Sequence, residues 1–284
     1  PVEVPLNPFD SVFAPFGSGD LEQPGTGQKI DMIGGIISYA ANYRMFQNHN
    51  SWVITFNVDI DGNDTSVIRW VALRNNNSED WSVYQEGTYA PDDGNSRFMG
   101  SSSIDLQGNI GLGFNIGSST LPVGISYTGR YATDPLGEMT QAETVIVDGI
   151  GVQTFSNRFG DYSQLTMDPD GFTFWHTAEY FKETNEWQSR IASFNLSAGF
   201  ENDLSVVSFI DLEDGIFTNS EPVKLKIRNL GTENQSNFPI ELYLDGILIA
   251  TETFSETINV GEVADYTFNQ TLDLSTQGQT YNVG

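Results

Sequence analysis

A chain of 284 residues with 38% apolar and 12% aromatic content carries enough hydrophobic side chain for one large or two ordinary packed domains, which excludes a disordered protein. Its 38 acidic and 12 basic residues leave a net charge of −26, a field that repels nucleic acid and anionic lipid surfaces alike. Cysteine is absent, which removes disulfides, thiolate catalysis and Cys-ligated metals, and no run of 18 apolar residues predicts direct membrane insertion.

Residues 1–30 hold five of the 11 prolines (Pro1, Pro5, Pro8, Pro15, Pro24) and four glycines without a sustained period, which predicts an extended crossing segment. Pro1 is preceded by neither a Met nor a leader-like stretch, so the chain reads as a processed or trimmed piece. From Met32 onward, runs rich in Val, Ile, Thr, Phe, Tyr and Trp alternate with Asn/Asp/Gly turns, and helical periodicity is almost absent. WVITFNVDI at 52–60 and SVIRWVALR at 66–74 form a first strand pair. SIDLQGNIGLGFNI, from Ser103 to Ile116, leads to GISYTGR at 124–130, and TMDPDGFTFWHTAEYF, from Thr166 to Phe181, leads to SRIASFNL at 189–196. Superimposing Asp105 on Asp168 also brings Gly108 onto Gly171. A strand-only repeat of about 60 residues is a propeller blade or a sandwich hairpin.

Composition shifts near 198–206, where SAGFENDLS (197–205) is polar and Gly-bearing. Beyond it, Val223, Leu225 and Ile227 alternate with Lys224, Lys226 and Arg228, so one strand face is buried and the other solvated. Asp245-Gly246 is a two-residue hairpin signal. Three basic against 14 acidic residues in 201–284 offer no catalytic cluster. The fold expected is all-β: an extended segment at 1–30, about three blades of a partial β-propeller at 31–200, and an immunoglobulin-like β-sandwich at 204–284.

Two resemblances sharpen this expectation. SEPVKLKIRNLGTENQSNFPIELYLDGILIATET, with the later GEVADYTF, resembles CARDB-type immunoglobulin-like modules, which implies a spacer or an adhesion unit facing carbohydrate or protein partners. NYRMFQNHNSWVITFNVDI, WSVYQEGTYAPDD, RFMGSSSIDLQGNIGLGF, ISYTGRYATDPLGEM and RFGDYSQLTMDPDGFTFWHTAEYF resemble secreted bacterial β-propellers that are distantly sialidase-like. The resemblance implies a secreted or outer cell-surface protein, carried as type IX secretion cargo, with further blades before this region. The expected partners are therefore the remaining blades or a partner chain, and glycans. Ser103-Ile104-Asp105 to Gly108 and Thr166-Met167-Asp168 to Gly171 look like Asp-box variants with one extra residue, a folding device in which the carboxylate accepts amide hydrogen bonds across the turn.

Chemistry has few starting points. His49 and His176 are the only histidines, with no HExxH and no GxSxG elbow, so both read as structural. Asp59, Asp61, Asn63 and Asp64 have the oxygen density of a calcium loop, but Gly62 is misplaced for an EF-hand and no Glu follows; calcium is the alternative to a hairpin turn, and no other cofactor is expected. A sialidase-like site would need an Arg cluster, a Tyr and acids. Arg97, Arg130 and Arg158 could converge on a propeller axis, and Asp161, Tyr162, Glu179 and Tyr180 lie at strand ends. Arg158 and Asp161 could equally form a structural ion pair that ties neighbouring blades. Trp70, Trp81, Tyr84, Tyr89 and Trp175, read as loop aromatics, suit sugar stacking or packing. The preferred reading is an adhesion or scaffold module without catalysis; a sialidase-like glycan hydrolase is the alternative.

Overall fold

β-Branched and aromatic runs punctuated by Asn, Asp and Gly become antiparallel sheet throughout the computed structural model, which describes residues 3–15, 18–37, 40–76, 80–161, 163–196, 200–212 and 215–284. No helix occurs among the described residues. The chain divides into two units, Pro1–Ser197 and Ala198–Gly284.

The first thirty residues differ from the extended segment expected. β1 (Leu21–Gln23) and β2 (Thr26–Ile30) form a hairpin, because Pro24-Gly25 is a two-residue turn whose glycine takes the left-handed conformation, φ 68°. Upstream of it, Leu6 and Phe9 lie over Phe56 on one face of the first large sheet, and the Asp59 amide donates to the Asp10 carbonyl at 2.9 Å.

Three meanders follow. β3 (Asn42–Met45), β4 (Asn50–Asp59), β5 (Ser66–Asn75) and β6 (Ser82–Tyr89) pair in chain order. So do β7 (Ser96–Ile104), β8 (Ile110–Gly117), β9 (Gly124–Arg130) and β10 (Thr144–Val147). The third sheet has three strands, β11 (Gln164–Met167), β12 (Phe174–Glu183) and β13 (Glu186–Phe194).

Successive sheets stack face to face. Val53, Trp70 and Ala72 of the first meet Ile104 and Ile110 of the second, while Leu165, Phe174 and Phe194 of the third pack with Tyr127 of the second. The GLGF run of β8 makes the second contact possible: a Cβ on Gly113 would stand 2.6 Å from Nδ1 of the buried His176. The first strands of the three sheets lie together. Asn42 Nδ2 on β3 donates to the Ser102 carbonyl of β7 and, at 3.3 Å, to the Leu165 carbonyl of β11. The Leu165 amide donates to Ser101 Oγ at 2.8 Å, and Arg44 Nε to the Ile104 carbonyl at 2.6 Å. Inner-strand edges left open by the meander are thus satisfied by side chains, which is why Ser101, Ser102 and Ser103 are buried. Stacked meanders with gathered first strands are blades, and the unit is a partial propeller of about three of them.

The two Asp/Gly turns are built differently. Asp105 is buried, and its carboxylate accepts the amides of Gln107 and Asn109, both at 2.9 Å, and Asn109 Nδ2 at 2.7 Å. Asp168 accepts the Asp170 amide at 3.1 Å and the Trp175 indole at 3.0 Å. Asp170 takes the remaining donors there: the amides of Phe172 and Thr173 and the Thr173 hydroxyl. Gly108 and Gly171 both have φ near 80°, 84° and 77°, the left-handed turn position that favours glycine.

In the second unit, β14 (Leu204–Ile210), β15 (Glu221–Asn229) and β18 (Val263–Leu272) form one antiparallel sheet, and β16 (Phe238–Leu244) with β17 (Ile247–Phe254) forms another. Val223, Leu225 and Ile227 bury their face of β15 against Leu242, Phe254, Phe268 and Leu272, a two-sheet sandwich core. Asp245-Gly246 makes the β16–β17 turn, with positive φ at both residues.

Candidate functional site

Three segments distant in sequence line a common cleft. Ser11–Pro15, Asp31–Ile36 and the Arg158–Asp161 stretch line a cleft of about 650 Å³ in the first unit. Gln23 fixes the hairpin side of this region, donating to the Gln153 carbonyl at 2.9 Å and accepting its amide at 2.8 Å. The Asp31 amide donates to the Asn157 carbonyl at 2.7 Å. Phe13 and Ile33 supply apolar wall, and Ile36 is exposed at the rim.

The charged groups of the cleft are Asp31, Asp161 and Arg158. Arg158 Nε ion-pairs with Asp161 Oδ2 within one loop, the guanidinium exposed and the carboxylate nearly buried. Asp161 Oδ1 is shielded from solvent and accepts no hydrogen bond from the described residues. Asp31 Oδ1 accepts the Ile33 amide at 2.8 Å. Close by, burial raises the Glu179 carboxyl above its ordinary range, the Gly160 amide partly offsets this, and the Asp161 charge adds to it. Asp20, beneath the Asp31 segment, is pushed up to about 6 by burial, against the Met32 amide that its Oδ2 accepts at 2.8 Å and with the charges of Asp31 and Asp64 adding to the rise.

Of the residues singled out in the sequence, Arg158, Asp161 and Glu179 are thus neighbours. Tyr162 lies outside the described residues. Arg97, Arg130 and Arg158 hold separate sets of partners. Arg130 is buried at the end of β9, where its guanidinium donates to the carbonyls of Asp134, Pro135 and Glu138 and sits 6.0 Å from the Trp70 ring. Arg97 is equally buried, held by Asp93 and Glu143, both at 2.7 Å. That pairing depresses the Asp93 carboxyl to about 2 and, outweighing burial, raises the Arg97 guanidinium. Arg158 and Asp161 join residues three apart and so tie one loop rather than two blades.

The carboxylates of the acidic loop at 59–64 accept from amides and a hydroxyl of the chain itself. Asp59 accepts the amides of Asp61, Gly62 and Asp64, Asp61 accepts the Asn63 amide and the Thr65 hydroxyl, and Asp64 accepts the Ala14 amide. No group of three or more His, Cys, Asp or Glu placed to hold a metal occurs among the described residues. His176 is buried neutral, its ring depressed to about 4 by burial. The aromatics read as loop residues stand mostly on strands: Trp70 is buried in β5, Tyr84 and Tyr89 belong to β6, and Trp175 to β12. Asp20 and Asp31, which underlie and line the cleft, were not singled out in the sequence: Asp20 sits in the 1–30 stretch read as an extended crossing segment and Asp31 directly follows it.

Residues 201–284 match the CARDB family model, in register with the second unit. Among solved structures, the chain is similar to an α-L-arabinanase from Penicillium chrysogenum, solved in complex with arabinobiose. The identity is 13% and the TM-score 0.29, over 68% of this chain and 53% of that one. The chain therefore spans about half the length of that enzyme, and a likeness this distant carries no functional argument. No curated protein matches.

Proposed function

We propose that the protein is an exported, cell-surface adhesion or scaffold module that engages glycan or protein partners through the loop cleft of its propeller unit. The observation that carries the reading is the composition of the cleft: an exposed guanidinium already fixed by Asp161, a second carboxylate at Asp31, and the apolar surfaces of Phe13, Ile33 and Ile36 beside them. Planar guanidinium and carboxylate groups bind vicinal hydroxyls or peptide polar groups by paired hydrogen bonds, and adjacent apolar surface takes the less polar face of a sugar ring. The CARDB-like second unit supports a surface setting.

A glycan hydrolase is the second reading, favoured by one observation. Glu179, its carboxyl raised by burial, has the Asp161 carboxyl nearby, a pair of acids of the kind a glycosidase uses as acid and partner. One experiment separates the two. The full chain is assayed on a glycan array and, in parallel, with aryl glycosides and sialosides. Binding that is lost in Arg158→Ala, without turnover, is the expected result. Robust turnover abolished by Asp161→Asn overturns the adhesion reading.

A further inference from the structure

Among the described residues, the third sheet of the propeller unit has one strand fewer than its two neighbours, and no strand pairs with the outer edge of its last strand. In the first two sheets the third strands, β5 and β9, are covered by fourth strands β6 and β10 and are buried along most of their length. β13 is the third strand of the third sheet, and all six residues from Glu186 to Ile191 are exposed. Trp187 is 56% and Ile191 64% accessible. Alternation along the strand places Trp187, Ser189 and Ile191 on one face and Gln188 and Arg190 on the other. One edge of β13 pairs with β12; the other carries backbone donors and acceptors that another strand could take. No proline protects the stretch 186–194.

We propose that β13 accepts a fourth strand along Glu186–Ile191 by β-strand addition, supplied by an extended polypeptide segment of acidic and β-branched or aromatic character. The backbone of the open edge selects a strand over any other ligand, and the repeat within this chain sets its chemistry. In the first sheet the fourth strand brings Glu86 to Arg69 of the third strand, an ion pair to which Thr88 adds a hydrogen bond at 2.9 Å. Arg190 of β13 has no ion-pair partner among the described residues. A carboxylate on the incoming strand would meet it, while apolar side chains on the same strand cover Trp187 and Ile191. The proposal is independent of the cleft and of any ligand bound there.

The chain's own fourth strand provides the probe. A synthetic peptide of residues 80–90, DWSVYQEGTYA, is titrated into the full-length protein while amide hydrogen exchange is followed at 186–192. Exchange across this stretch slows by about tenfold or more at saturation, and a peptide with Pro at the positions of Val83 and Gln85 gives no protection. Arg190→Glu, an exposed substitution that circular dichroism shows to preserve the fold, weakens binding by about fivefold. Absence of protection overturns the proposal, as does equal protection by the proline peptide. An edge already protected in the free protein, together with a dimeric mass, overturns it in favour of pairing between two copies of this chain.

Discussion

At the scale of single residues, two buried titratable groups pull stability in opposite directions. Asp20 has its carboxyl raised from 3.8 to about 6, so the folded protein holds a proton that the unfolded chain has released between those values, and stability falls as pH rises through that window. His176 is depressed from 6.5 to about 4; its contribution is complete above 6.5 and is lost as pH falls toward 4. Asp20→Asn keeps an oxygen to accept the Met32 amide and removes the buried charge. It is expected to stabilise the protein at pH 7 by about 1–2 kcal/mol and to steepen the loss between pH 6.5 and 4.5, since the His176 effect then acts unopposed. Urea unfolding of parent and variant at pH 7 and pH 5 checks this; a variant no more stable at pH 7 refutes the account. Neither residue's environment was legible in the sequence. Arg130 and Arg158 make the same point, since both flank strands in similar polar stretches. What sets Arg130 apart is the loop at 134–138, which folds back to present three carbonyls to its guanidinium.

At the scale of elements, the Asp/Gly turns were legible as turns and misleading as equivalents. The pairs Asp105/Gly108 and Asp168/Gly171 have the same spacing, and each glycine takes the left-handed conformation. The hairpins close at different points, however: the Asp105 amide reaches the Asn109 carbonyl, whereas the Asp168 amide reaches the Thr173 carbonyl one residue further on. That extra residue hands the turn's donors to Asp170. Removing the Asp105 carboxylate takes its acceptor oxygens from two amides and from Asn109 Nδ2 in a buried site. Asp105→Ala is expected to cost about 2 kcal/mol and Asp168→Ala less than about 1 kcal/mol. Equal losses in denaturant titrations of the two variants would show that spacing, not hydrogen-bond inventory, sets the strength of these turns. Strand positions were readable for the same reason the turns were, since period-two alternation and punctuation are local. The face-to-face contact that requires Gly113 beneath His176 joins residues 63 apart in number, and no local pattern announces it.

At the scale of the whole molecule, the shift in composition at 198–206 falls where the contacts divide the chain, at Ser197 and Ala198. The second unit closes its own core: Val223, Leu225, Ile227, Leu242, Phe254 and Phe268 pack among themselves, and the Thr232 and Glu233 amides tie its entry segment by donating to the Phe200 and Glu201 carbonyls. A fragment of residues 200–284 is therefore expected to fold alone, with a single cooperative transition by circular dichroism. The first unit lacks that closure. Tyr43 and Met45 are exposed on its first blade, and Trp175, Trp187 and Ile191 on its last. A face of stacked sheet that is apolar and uncovered binds hydrophobic dyes and associates. A fragment of residues 1–197 is expected to bind such a dye strongly and to be cut early by protease within 186–194, where the strand edge is open. If that fragment instead proves monomeric, cooperative and silent toward the dye, the first unit is a finished domain in its own right, and the three meanders are not part of a larger ring.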